Sequence, residues 1–111
     1  MVTLAETPAE RTHDDRRLFP RMHASGIVSG HRFGRKKEGV AALDIDLRDI
    51  SISGVSGWVD AALDPGDKVH LSFPADGFKR GFNTFGKVIR CDVRATGYQV
   101  AIQFDRLLTQ Q

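Results

Sequence analysis

Ala41-Ala42-Leu43-Asp44-Ile45-Asp46-Leu47-Arg48-Asp49-Ile50-Ser51-Ile52-Ser53-Gly54 is the run that decides the fold class. Up to Leu47 the larger apolar side chains fall on odd positions, with Ala42, Asp44, Asp46 and Arg48 between them. That is the period-two pattern of a strand with one buried and one solvated face. At Arg48-Asp49 the phase slips, because the next apolar residues, Ile50 and Ile52, are even-numbered. A slip of one residue marks a bulge or a turn.

The same period recurs on the C-terminal side. Val55 to Val59 reads as a short strand, and Leu63-Asp64-Pro65-Gly66-Asp67 as a turn. Val69, Leu71 and Phe73 alternate with Lys68, His70 and Ser72 until Pro74 stops them. Asp76-Gly77 to Asn83 is a loop whose Phe78 and Phe82 are unusual for exposed positions, which makes the loop a candidate output surface. From Thr84 to Val93 the pattern places Phe85, Ile89, Cys91 and Val93 on the apolar face and Gly86, Val88, Arg90 and Asp92 on the polar one. After a turn at Thr96-Gly97, Tyr98, Val100, Ile102 and Phe104 alternate with Gln99, Ala101 and Gln103, and Leu107-Leu108 leave room for one helical turn at most.

On the N-terminal side, Gly30 to Gly39 is an exposed connection and His23 to Ser29 a weaker strand. Pro20 biases Phe19 towards an extended conformation, so Arg17 and Arg21 are spread along a loop rather than stacked on a helix. Residues 1–15 lack periodicity and carry Pro8, which predicts a mobile tail. The division expected is a tail over 1–15, one domain over 16–108 and a C-terminal end over 109–111. Six or so strands with regular turns and almost no helical pattern indicate an antiparallel barrel or sandwich.

Composition narrows the function. With 41% apolar and 27% charged residues in 111, the chain suits one ordinary folded domain. The net charge of +2 is uneven: residues 1–37 hold eight Lys/Arg against four acids, and residues 38–111 hold eight against ten. A basic N-terminal third fits a compact anionic ligand better than long duplex DNA. One cysteine precludes an internal disulfide, and four scattered histidines give no metal-ligand spacing. Neither a signal peptide nor a membrane span is visible, so a cytoplasmic location without membrane insertion is expected.

Catalytic patterns fail on specific residues. Gly34 to Gly39 has P-loop glycine spacing, but Val40 stands where Lys is required. Gly54-Val55-Ser56-Gly57 has its second glycine one residue too early for a nucleophile elbow. Cys91 reads as a small buried hydrophobe, and Asp44 and Asp46 as solvated surface acids. No enzyme activity and no cofactor are expected.

Two arrangements remain. Arg16-Arg17-Leu18-Phe19-Pro20-Arg21 concentrates guanidiniums, whose planar fork suits phosphates and guanine edges. Asp49-x-Ser51-x-x-Gly54 sits at the phase break. Asp49 can accept from the N1 and N2 hydrogens of guanine and Ser51 can donate or accept, while Gly54 permits either a positive φ or a close backbone approach.

The order Arg16-Arg17-x-x-Pro20-Arg21, Asp49-Ile50-Ser51-x-Ser53-Gly54, Gly86-x-Val88-x-Arg90 and Gly97-Tyr98-x-Val100-x-Ile102-x-Phe104-x-x-Leu107 closely resembles a PilZ domain from about Arg16 to Leu107. The resemblance implies a six-stranded antiparallel β-barrel and a non-catalytic receptor for cyclic di-GMP, a bacterial second messenger, signalling to an unidentified downstream protein. Motility, exopolysaccharide synthesis and transcription are all compatible outputs. It also implies that Arg17 and Arg21 contact phosphate and the guanine Hoogsteen edges, while Asp49, Ser51 and Gly54 hold a guanine from the barrel side. Arg16, directly before the motif, implies two intercalated ligands per domain.

Two departures stand out. Where many family members carry an aromatic against the guanine, this chain has Arg90, which either stacks on the base or is a surface arginine without contact. The family's C-terminal helix has almost no counterpart, so a monomer is expected. The competing functional readings are an RNA- or single-strand-binding barrel, with Phe33 and Trp58 as stacking candidates, and a scaffold of this fold that has lost its ligand.

Overall fold

The computed structural model describes residues 3–8, 21–33, 40–75 and 81–108. Eight strands follow one another in these segments: β1 (Thr3–Pro8), β2 (Met22–Ser25), β3 (Ile27–Phe33), β4 (Val40–Ile50), β5 (Gly54–Val59), β6 (Lys68–Phe73), β7 (Phe82–Arg94) and β8 (Gly97–Phe104). All pairings are antiparallel. The sheet runs β1-β2-β4-β3-β6-β7-β8-β5, and β5 pairs back onto β4 to close it.

β2 and β3 are halves of one bent strand, separated only by Gly26 at φ 106°. That left-handed conformation suits glycine. The closed barrel therefore has six strands, with β1 as a single addition alongside β2. Thr3–Pro8 were expected to form no element; they pair as a strand through the backbone, which needs no apolar alternation.

The phase break in β4 is a bulge. Leu47 pairs with Gly57 and Asp49 with Ser56, leaving Arg48 as the extra residue. Before the bulge Leu43, Ile45 and Leu47 point into the core; after it, Ile50 does. Gly26 faces this point, accepting the Leu47 amide at 2.8 Å, so neighbouring strands bend at the same level. β4 can thereby serve β3 with residues 40–46 and β2 with residues 49–50.

Val28, Ile45, Leu71, Phe73, Val55, Val88 and Ile102 make up the middle of the core, all 2% exposed or less. At Gly30, Gly57 and Gly86 the neighbouring strand's backbone lies within 3 Å of where a Cβ would stand, so no side chain fits there.

β7 reverses the expected faces. Val88 is 1% exposed and Gly86 buried, whereas Phe85, Ile89 and Val93 are 48%, 50% and 75% exposed. A second bulge follows between Val88 and Arg90. It adds Ile89 to the strand and restores the inward direction at Cys91, which is half-buried against the core. Counting apolar residues along the strand favoured the wrong face because Gly86, needed where Gln103 O would lie 2.7 Å from a Cβ, looked like a polar-face residue.

Phe82 also differs from expectation. It opens β7 half-buried, its ring stacked on Phe73 with centroids 4.6 Å apart. Phe78, the other aromatic of that loop, lies outside the described residues. Among the described residues no helical turn follows β8, and no helix is long and apolar enough to cross a membrane.

Candidate functional site

The site begins where β4 loses its phase. Ile50 belongs to the core, so its neighbour Asp49 faces outwards, yet it is only 8% exposed. The reason is Arg21, whose Nη1 donates to Asp49 Oδ1 at 2.7 Å. Both side chains are largely removed from solvent, at 15% and 11% exposure. The contact joins the two arrangements that the sequence keeps 28 residues apart.

Ser51 shapes the adjoining turn. Its amide donates to Gly54 O at 2.9 Å, closing a two-residue loop of Ile52 and Ser53. Its hydroxyl accepts the Ser53 amide at 3.1 Å and lies 3.0 Å from Ser53 Oγ. Ser51 therefore holds the turn in place, with its side chain buried. The C-terminal segment fixes the same turn from above: Phe104 N–H donates to Ser53 O at 2.9 Å and Leu108 N–H to Ile52 O at 2.8 Å.

Gly54 resolves the choice left by its sequence. Its φ is not in the left-handed region, which among the described glycines is reached by Gly26, Gly66 and Gly97. Instead a Cβ on Gly54 would stand 2.3 Å from Ile102 O. Glycine is required for the close approach of β5 to β8.

Register extends the site across the barrel wall. His23 on β2 pairs with Asp49 on β4, Asp49 with Ser56 on β5, Ser56 with Ala101 on β8, and Ala101 with Arg90 on β7. These five residues form one transverse row. Asp49 and Arg90 are three strand spacings apart within it, about 14 Å. Arg90 is 63% exposed, not on the face of buried Val88 as expected, and its Nε pairs with Asp92 Oδ2 at 3.1 Å. Ser56 and Ala101, between them, are each 6% exposed.

Sequence reasoning named Asp49 and Arg90 but not the row that joins them, nor Ser56. Pairing register carries that information, and no single strand contains it. Arg16 and Arg17 lie outside the described residues, as do Pro20 and residues 109–111.

Other candidates separate on inspection. Trp58, 37% exposed on β5, lies level with Ile27 of β3 through Asp46, whereas Phe33 is six residues further along β3, about 20 Å away. These two rings form no shared platform. Among the described residues no group of three or more His, Cys, Asp or Glu could hold a metal ion.

A family model described as the PilZ domain matches residues 15–111. Among solved structures, the chain is similar to the PilZ domain with c-di-GMP of YcgR from Escherichia coli, with a TM-score of 0.59 and 16% identity over 82% of this chain and 79% of that one. At this identity the likeness is one of fold. A search of curated proteins gives no match. Since the family match takes in the barrel, the Asp-x-Ser-x-x-Gly turn and the arginine run before them, the chain belongs to the PilZ domain family.

Proposed function

We propose that this chain is a non-catalytic receptor for cyclic di-GMP that passes its signal to a partner protein. The observation that carries the reading is the Arg21–Asp49 contact, which brings together a guanidinium suited to phosphate and a carboxylate suited to the N1 and N2 hydrogens of guanine. The similar YcgR domain, which holds c-di-GMP, adds support.

In this reading Arg21 already occupies the carboxylate that a guanine would use. Binding is then an exchange. The guanine donates N1–H and N2–H to Asp49, and Arg21, with Arg17, turns to the ligand's phosphate and Hoogsteen edges. Ser51 and Gly54 contribute by fixing the turn, and Arg90 lies three strands away where a second base or phosphate would be met. Arg16 supports two ligands per domain.

Titration calorimetry with cyclic di-GMP tests both parts. Saturable binding is expected, with an endpoint near two ligands per chain. Arg17→Ala and Arg21→Ala are each expected to weaken it, because a charge-assisted hydrogen bond contributes about 1.5–3 kcal/mol. Unchanged affinity in the double variant would overturn the clamp, and an endpoint of one ligand would overturn the stoichiometry alone.

A further inference from the structure

Within the row from His23 to Arg90, Ser56 carries a buried polar atom with nothing to bind. Ser56 is 6% exposed, and its Oγ is sealed from solvent without a hydrogen-bond partner. Around it, Asp49 holds Arg21, Ser51 and Ser53 hold each other, and Arg90 holds Asp92. Ser56 faces the outer wall because its neighbour Val55 is in the core. It pairs directly with Asp49, about 5 Å away across the strands. A buried hydroxyl with no partner is unfavourable by about 1–3 kcal/mol, and alanine at this strand position would avoid that cost.

We infer that the Ser56 hydroxyl is a guanine-recognition group, accepting the 2-amino hydrogen that Asp49 leaves unbound. The inference rests on the cyclic di-GMP reading. A carboxylate that takes N1–H and one N2–H of guanine leaves the other N2–H without an acceptor, and a serine oxygen one strand away has two lone pairs to offer. Ser56 is the direct ladder partner of Asp49, so a base that takes the place of Arg21 on the carboxylate arrives one strand from the hydroxyl and must uncover it to bind it. The group selected is the 2-amino substituent, the one feature that separates guanine from hypoxanthine. Ser56 thereby discriminates between bases and does not merely add affinity.

The test is calorimetric titration of the full chain and of Ser56→Ala with cyclic di-GMP and with cyclic di-IMP, which lacks the 2-amino groups, together with thermal midpoints without nucleotide. The preference for cyclic di-GMP is expected to fall about fivefold in Ser56→Ala, the equivalent of one neutral hydrogen bond, through weaker cyclic di-GMP binding alone. The midpoint is expected to hold or rise. An unchanged preference with tight cyclic di-GMP binding overturns the inference and leaves the receptor reading standing. A lower midpoint also overturns it, by showing that the hydroxyl has a structural partner. Failure of the unaltered chain to bind cyclic di-GMP overturns both.

Discussion

Arg21 and Asp49 are each other's nearest charged partner at 2.7 Å, and each is shielded enough that losing the other leaves a poorly solvated charge. Asp49→Ala and Arg21→Ala are each expected to lower the free energy of unfolding by about 1.5–3 kcal/mol, the range for hydrogen bonds to charged groups. Denaturant titrations of the two single variants and the double variant measure the coupling. The double variant is expected to be less destabilised than the sum of the singles. Additive losses would mean that the pair is not made in solution.

Gly54 and Gly66 separate two reasons for a glycine. A Cβ at Gly54 meets the Ile102 carbonyl oxygen at 2.3 Å, whereas at Gly66, with φ 96°, nothing lies within 4 Å. Gly66→Ala therefore bears only the left-handed strain, about 1–2 kcal/mol. Gly54→Ala must push β5 away from β8, and a loss near the upper end of overpacking, about 3 kcal/mol, is expected. Thermal midpoints rank the two, and ligand binding is expected to survive in Gly66→Ala and fail in Gly54→Ala.

The contrast between β4 and β7 shows what a strand's own sequence can reveal. In β4 the interruption is visible because residues on both sides of Arg48 are clearly apolar or charged, and the bulge lies where the alternation breaks. In β7 the inward positions are Gly86 and Val88, and the bulge residue Ile89 is itself apolar, so the sequence supports the opposite face. The Asp-x-Ser-x-x-Gly turn could be read as local chemistry. The row His23–Asp49–Ser56–Ala101–Arg90 could not, since it depends on four separate registers. β1 left no trace because its pairing is made by backbone groups.

The reversed faces of β7 have a direct consequence. Val88→Ala removes two methyl groups from a 1% exposed position and is expected to cost about 2 kcal/mol. Ile89→Ser, at a half-exposed bulge, is expected to change stability by less than about 0.5 kcal/mol. Chemical denaturation of the two variants decides between the faces. The opposite ranking would restore the alternation read from sequence.

Leu108 ties the end of the chain to the site. Its amide donates to Ile52 O at 2.8 Å and its half-buried side chain packs on the core, so the Ser51–Gly54 turn is held by β8 on one side and by this residue on the other. A chain ending at Arg106 loses both contacts, and a net loss of about 1–2 kcal/mol is expected from one backbone hydrogen bond and part of a leucine's burial. The turn should loosen first. The Ser51 amide, bound to Gly54 O, is expected to exchange its hydrogen faster in the shortened chain, with ligand affinity falling alongside. Leu108→Ala keeps the backbone bond and removes only packing, so it should lose stability while the Ser51 amide stays protected relative to the global transition. If the shortened chain keeps both the slow Ser51 exchange and full affinity, the turn is self-sufficient, and the serines and Gly54 alone fix the wall that Asp49 presents.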